Sequence, residues 1–155
     1  MKHLVATLLA ACILSACAPA EPPLPPGVEH RPRTGDHWLF INYWAQWCKP
    51  CIEEIPELNE FAAEQAGKLI VYGVNYDQAA GEELLAQAAE LNIDFPLLAT
   101  DPAASLGYAR PMVLPTTILV SPDGAIHARL LGPQTRESLL KAMQAAPQKL
   151  APPVG

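Results

Sequence analysis

The chain is poor in basic residues: Lys and Arg number 10 against 16 Asp and Glu, giving a formal net charge of -6 over 155 residues. Holding nucleic-acid phosphates takes concentrated Lys and Arg. No basic stripe runs anywhere in the sequence, which excludes a nucleic-acid partner. Membrane-length apolar runs are lacking too, since the stretch Leu4 to Leu14 covers only eleven residues and a spanning helix needs about 20. Cysteine is sparse, with four in all. Only Cys48 and Cys51 form a C-x-x-C pair, and without a His or Cys cluster beside them a tetrahedral zinc site lacks ligands. The four histidines, His3, His30, His37 and His127, fall in no ligand motif, and His37 and His127 are expected at the surface beside strands. There is no internal repeat. The length supports one hydrophobic core and not two.

What is present begins with an export signal. Met1-Lys2-His3 is a short basic start to the apolar stretch that follows. Next, Leu14-Ser15-Ala16-Cys17 resembles the lipobox of bacterial lipoproteins. That resemblance implies cleavage after residue 16 and acylation of Cys17, hence a lipid anchor, whereas an ordinary cleavable signal would end near Ser15-Ala16 or Ala18. Loss of residues 1–16 would remove Lys2 as their only formal charge and leave a net charge of -7. Ala18 after Cys17 points by analogy to the outer rather than the inner membrane. Cys12 would depart with the signal and Cys17 would carry lipid, so two thiols remain. Residues 17–35 hold prolines at 19, 22, 23, 25, 26 and 32 and read as a semi-rigid extended tether. A folded domain is expected over 36–146, and a disordered tail over 147–155.

The central motif is Trp47-Cys48-Lys49-Pro50-Cys51, placed between the apolar run 38–44 and a helical pattern. On a helix, residues three apart lie on one face about a turn apart, so the two sulfurs can join or separate. A thiol at a helix start meets unpaired N–H groups and the positive end of the macrodipole, which lower its pKa from about 8.5 toward roughly 3.5 to 7.5. Position assigns Cys48 as the exposed nucleophile and Cys51, a turn inside and facing the core, as the resolving thiol. Lys49 offers nearby positive charge, while Glu53 and Glu54 oppose it or stand as solvated first-turn charges.

Around this motif the pattern alternates strand and helix, as in an α/β domain. Strand 38–44 is apolar on both faces, as a central strand should be. A helix from about Pro50 carries Cys51, Ile55, Leu58 and Ala62 on one stripe, with Pro56 expected to kink it. Further elements are a strand at 69–75, a helix over about 81–91 with Leu84, Ala88 and Leu91 inward, an apolar segment 95–99 and a short helix near 103–108. Strands 116–120 and 125–131 flank the turn cluster Ser121-Pro122-Asp123-Gly124 and predict an antiparallel hairpin. Thr135 caps a last amphipathic helix bearing Leu139, Leu140 and Met143, which Pro147 ends.

Together, Tyr43-Trp44-Ala45-Gln46-Trp47-Cys48-Lys49-Pro50-Cys51, Pro56, the Val74-Asn75 strand end and Leu114-Pro115-Thr116-Thr117 resemble the TlpA/ResA-like thiol-disulfide oxidoreductases of the thioredoxin superfamily. The similarity covers about residues 36–146. It implies an α/β thioredoxin-like fold, a central mixed β-sheet flanked by helices, with a cis-Pro at Pro115 before the final hairpin and packed beside the dithiol. It also implies that Leu114 and Thr116 flank a site where an extended client segment pairs with the Leu114 backbone, inside an apolar lip of Trp47, Met112 and Leu114. Thioredoxins bury an acid beneath the inner thiol, but the strand position six before Cys48 is Asn42. The family's alternative acid aligns with Gln78, which leaves Asp77 as the candidate substitute.

The resemblance implies a lipid-anchored oxidoreductase on the periplasmic side of a bacterial envelope, needing no cofactor beyond the Cys48–Cys51 pair. Its implied partners are exported clients such as apo-cytochrome c or metal-carrier proteins, and a membrane thiol-disulfide electron donor. Potentials of such dithiols span roughly 150 mV, or about 7 kcal/mol, so the motif does not set the direction. An oxidising compartment requires a reductant to be recharged, and a reductase is favoured over an oxidase or isomerase. A redox-silent client-binding module is the reading of another class.

Overall fold

The computed structural model describes residues 23–148, so the readings for residues 1–16, for lipidation at Cys17 and for most of the tail fall outside the described residues. Among these residues six strands form one mixed sheet in the order β1-β4-β3-β2-β5-β6. These are β1 (Val28–Glu29), β2 (Trp38–Trp44), β3 (Leu69–Asn75), β4 (Leu97–Leu98), β5 (Thr116–Val120) and β6 (Ile126–Leu131). The helices among the described residues are α1 (Lys49–Glu64), α2 (Gly81–Glu90), α3 (Ala103–Leu106) and α4 (Arg136–Gln144).

The continuous apolar character of β2 has its cause in the middle of the sheet. Trp38 to Trp44 pair in parallel with Leu69 to Asn75 on one side, while Leu39 to Tyr43 pair antiparallel with Thr116 to Val120 on the other. Its side chains alternate between two cores. Leu39, Ile41 and Tyr43 pack with Tyr72, Val74, Ile118, Ala103 and Tyr108, whereas Phe40 packs with Leu58 and Phe61 of α1 and Leu139 and Ala142 of α4. A third cluster joins Trp44, Cys48 and Cys51 to Leu84 and Ala88 of α2 and to Leu97. The end of β2 and the start of α1, where the cysteines lie, are thus held from several directions.

Gly73 is required by close approach. A Cβ there would meet Leu97 Cδ2 at 2.8 Å and Trp44 Nε1 at 3.0 Å. The turn 121–124 closes through Gly124 N–H to the Ser121 carbonyl, with Gly124 at φ +83°. Helix α1 runs unbroken through Pro56, whose missing N–H leaves the Ile52 carbonyl without its intrahelical donor. The C-terminal helix has a reciprocal capping box between Thr135 and Ser138.

Three expectations need correction. Residues 28–35 of the expected tether belong to the fold: β1 pairs with β4, and Tyr72 Oη donates to Glu29 Oε2 at 2.7 Å while accepting from Arg33 N at 3.2 Å. Two residues of strand among prolines carry no periodicity that a sequence reading can detect. The start of the tail is also engaged, since Gln148 N donates to the His127 carbonyl and Gln148 Oε1 accepts from Arg129 N. His127 is buried, with its ring edge-on to Trp38 and Nε2 at 3.1 Å from the Ala142 carbonyl. The last turn of α4 and the Trp38 ring cover it. Among the described residues, no helix is long and apolar enough to cross a membrane.

Candidate active site at the start of helix α1

Cys48 is the N-cap of α1, with extended backbone, and Pro50 occupies the first turn, where its missing donor is harmless. The cysteines form a disulfide, and the Cys51 N–H points at Cys48 Sγ from 3.3 Å. The two sulfurs therefore sit where the helix offers unpaired donors and its positive end. Cys51 is fully buried, as expected. Cys48 is not the exposed residue that its position in the sequence suggests: it is only 4% accessible. Bonded to Cys51, it turns inward and forms one wall of a cavity of about 410 Å³. Attack from outside must come through that cavity.

Trp47, Lys49, Pro50, Tyr76, Met112 and Leu114 line the rest of it. Trp47 is 66% and Met112 91% exposed, a large apolar surface to leave in water beside a reactive pair. The Leu114–Pro115 peptide bond is cis. Pro115 is buried and Leu114 half-buried, while Thr116 is fully buried, its hydroxyl donating to the Val113 carbonyl at 2.7 Å. Thr116 thereby shapes the loop and presents no side chain to the cavity's open side. Lys49 is exposed and pairs loosely with Glu53 at 3.8 Å.

Asp77 is not a buried acid. It is exposed and accepts a hydrogen bond from Trp47 Nε1 at 2.7 Å, so it orients the indole. The adjoining Gln78 is also exposed, with φ +62°. The buried acid is Glu54, which sequence reasoning left in solvent. It is 2% exposed, with Oε1 accepting from Asn42 Nδ2 at 2.7 Å and Oε2 from Gln134 N at 2.8 Å. Burial is the dominant influence and pushes its pKa up to about 7, against the lowering effect of those two donors. The signal was in the spacing: Glu54 stands three residues after Cys51 and four before Leu58, on the same inward stripe.

Asn42 completes this polar pocket in the core. Its Nδ2 also donates to Thr117 Oγ1 at 3.1 Å, whereas its buried Oδ1 has no partner. A turn of the Asn42 amide would aim Oδ1 at a protonated Glu54, but it would move Nδ2 and its two donors into the position that has no partner. Among the described residues, no group of three His, Cys, Asp or Glu side chains could hold a metal ion.

A strand-to-helix disulfide that shares a cavity with Leu114 of the cis Leu114–Pro115 bond, on a mixed sheet of this order, defines a thioredoxin-like redox domain. The chain belongs to the AhpC/TSA family, whose profile matches residues 31–129. It is 32% identical to the thioredoxin-like protein YneN of Bacillus subtilis (strain 168), over 65% of this chain and 60% of that protein. It is 29% identical to the thiol-disulfide oxidoreductase ResA of Bacillus anthracis, over 65% of this chain and 58% of that one. The chain therefore spans about three fifths of the length of these curated relatives. The crystal structure of a DsbF homologue from Corynebacterium diphtheriae superposes with a TM-score of 0.61 at 27% identity, covering 71% of this chain and 72% of that one.

Proposed function

We propose that this chain is an extracytoplasmic thiol-disulfide oxidoreductase that reduces disulfides in exported client proteins through Cys48 and Cys51. The observation that carries this reading is the Cys48–Cys51 disulfide at the N-terminus of α1, opening onto an apolar cavity beside cis-Pro115. The relatives named thiol-disulfide oxidoreductases support it.

In the working direction the reduced pair meets a client disulfide. Cys48 Sγ, as thiolate, attacks one client sulfur; an S–S bond forms between them, the client S–S bond breaks, and the second client sulfur leaves as thiolate. The Cys51 N–H and the helix dipole favour the attacking anion. Cys51 then loses its proton and attacks Cys48 Sγ, which re-forms the internal disulfide and releases the client as a dithiol. Two electrons pass from the pair to the client. Glu54, one turn beyond Cys51 and poised near neutrality, is the group suited to accept the Cys51 proton. A donor dithiol on the membrane would restore the reduced pair, and apo-cytochrome c or metal-carrier proteins are fitting clients.

The signal-like residues 1–16, the lipobox-like Cys17 and the Pro-rich segment support a lipid-anchored periplasmic location, at the outer rather than the inner membrane. Two measurements test the proposal. The reading expects turnover of insulin disulfides with dithiothreitol as electron source, and an equilibrium potential against glutathione buffers near the thioredoxin value of about -270 mV. Turnover with a potential near that of a strong oxidant, about -120 mV, would reverse the direction. No turnover at all would sink the activity.

A further inference from the structure

One cation is tied to two sides of the cavity beside Cys48. Asp101 is fixed first: its Oδ1 accepts from Tyr43 Oη at 2.6 Å and from Ala103 N at 2.9 Å, anchoring the carboxylate to the central strand and to α3. Tyr108 Oη lies 2.9 Å from Tyr43 Oη, and burial holds both phenols well above their ordinary pKa, so both stay neutral donors. The other oxygen, Asp101 Oδ2, takes Arg110 Nε at 2.8 Å. The guanidinium is thus placed before it reaches any part of the redox site.

From there it grips Tyr76 twice. One terminal nitrogen donates to the Tyr76 carbonyl, and the guanidinium carbon lies 4.1 Å from the centre of the Tyr76 ring. Tyr76 directly follows β3, bonds through its N–H to the Trp44 carbonyl and lines the Cys48 cavity. Met112 and Leu114, which line the same cavity, stand two and four residues after Arg110, with the buried Pro111 stiffening the link. Arg110 also borders a second cavity of about 440 Å³ with Gln78, Asp101 and Tyr108, so it has room to swing away from Tyr76.

We propose that Arg110 is a positioning residue that clasps the Tyr76 and Met112–Leu114 lips of the client groove. It sets how tightly a protein disulfide is held and leaves the exchange chemistry of Cys48 and Cys51 unchanged. The proposal rests on the oxidoreductase reading above. It requires arginine specifically, because only a planar fork bonds Asp101 and the Tyr76 carbonyl while lying over a ring; a lysine ammonium makes one of these contacts at a time.

The test compares wild type with Arg110→Met, Arg110→Lys, Tyr76→Leu and the Arg110→Met/Tyr76→Leu double variant. The readouts are KM and kcat for insulin disulfides, the rate with oxidised glutathione and the equilibrium potential. Arg110→Met is expected to raise the insulin KM about three- to tenfold, the scale of one lost cation–π contact. The kcat, the small-disulfide rate and the potential should stay at wild-type values, and Lys should not rescue. The double variant should fall short of the product of the two single effects, because the ring contact is lost in both while the bond to the Tyr76 carbonyl is lost only with Arg110.

An unchanged KM in folded Arg110→Met, full rescue by Lys, or additive effects in the double variant would each overturn the clasp. If Arg110→Met does not fold, Asp101→Asn, which keeps its oxygen acceptor and loses the charge, must show the same rise in KM at constant potential, and an unchanged KM there refutes the proposal. A wild type inactive on insulin refutes the oxidoreductase reading; an active wild type with an unaffected Arg110→Met refutes only the clasp.

Discussion

Replacing Glu54 by Gln should make the protein more stable in alkaline solution, and by an amount that depends on pH in a defined way. The carboxyl titrates near 4.5 in an unfolded chain and at about 7 in the fold. Between those values the unfolded chain has released the proton while the folded one still holds it, so stability falls as pH rises, by about 1.4 kcal/mol per unit. The favourable contribution is complete below about pH 4.5 and gone above about pH 7, and the interval of about 2.5 units corresponds to about 3 kcal/mol. Gln fits the same space, its oxygen can accept from Gln134 N, and it carries no titrating proton. Urea unfolding of wild type and Glu54→Gln from pH 4.5 to 8.5, under one redox condition, gives the difference with every other titration cancelled. The expected curve drops by about 3 kcal/mol between pH 4.5 and 7 and then flattens. Parallel pH profiles for the two proteins would refute both the burial argument and the role of Glu54 as a proton acceptor near neutrality.

Two further outcomes follow from packing and capping. Gly73→Ala forces a Cβ against Leu97, Trp44 and Phe95; denaturant unfolding should show a loss of about 1–3 kcal/mol, and an unchanged midpoint would mean that this approach is softer than described. Thr135→Ala removes the acceptor for Ser138 N and with it half of the capping box; a loss of about 1 kcal/mol is expected. Because Gln134 N holds Glu54, the same variant should also shift the pH dependence described above, and a stability loss identical at pH 5 and pH 8 would show that the α4 cap and the acid are uncoupled.

The elements legible in the sequence are those whose periodicity is set by their own burial. Strand 38–44 is apolar throughout because two strands pair with it and a core lies on each face. The hairpin announced itself through Pro122 and Gly124, and the dithiol through its spacing and its place after that strand. What the sequence hid depends on partners far apart in the chain. Tyr43, Asp101 and Arg110 meet only once β2, α3 and the loop before Pro115 are assembled, and no local pattern marks them. Glu54 is a different case, since its position on the inward stripe is legible, but a charged residue near a helix start more often faces water. Asp77 was selected as an acid near the site by alignment of a strand end. The fold instead turns it to the surface, where it holds Trp47. The place of Cys48 ahead of the helix suggests solvent exposure, but the bond to Cys51 and the packing against the cluster of Trp44, Ala45 and Leu84 bury it.

Trapping the exchange intermediate tests the central claim most directly. With Cys51→Ser, the sulfur that resolves the mixed disulfide is gone, so reduced protein mixed with a disulfide-bonded client should accumulate a covalent adduct, and peptide mapping should place the new bond at Cys48. Dithiothreitol should release it. Failure of any adduct to form at neutral pH, or an adduct that forms equally well in Cys48→Ser through Cys51, would contradict the assignment of Cys48 as the attacking sulfur.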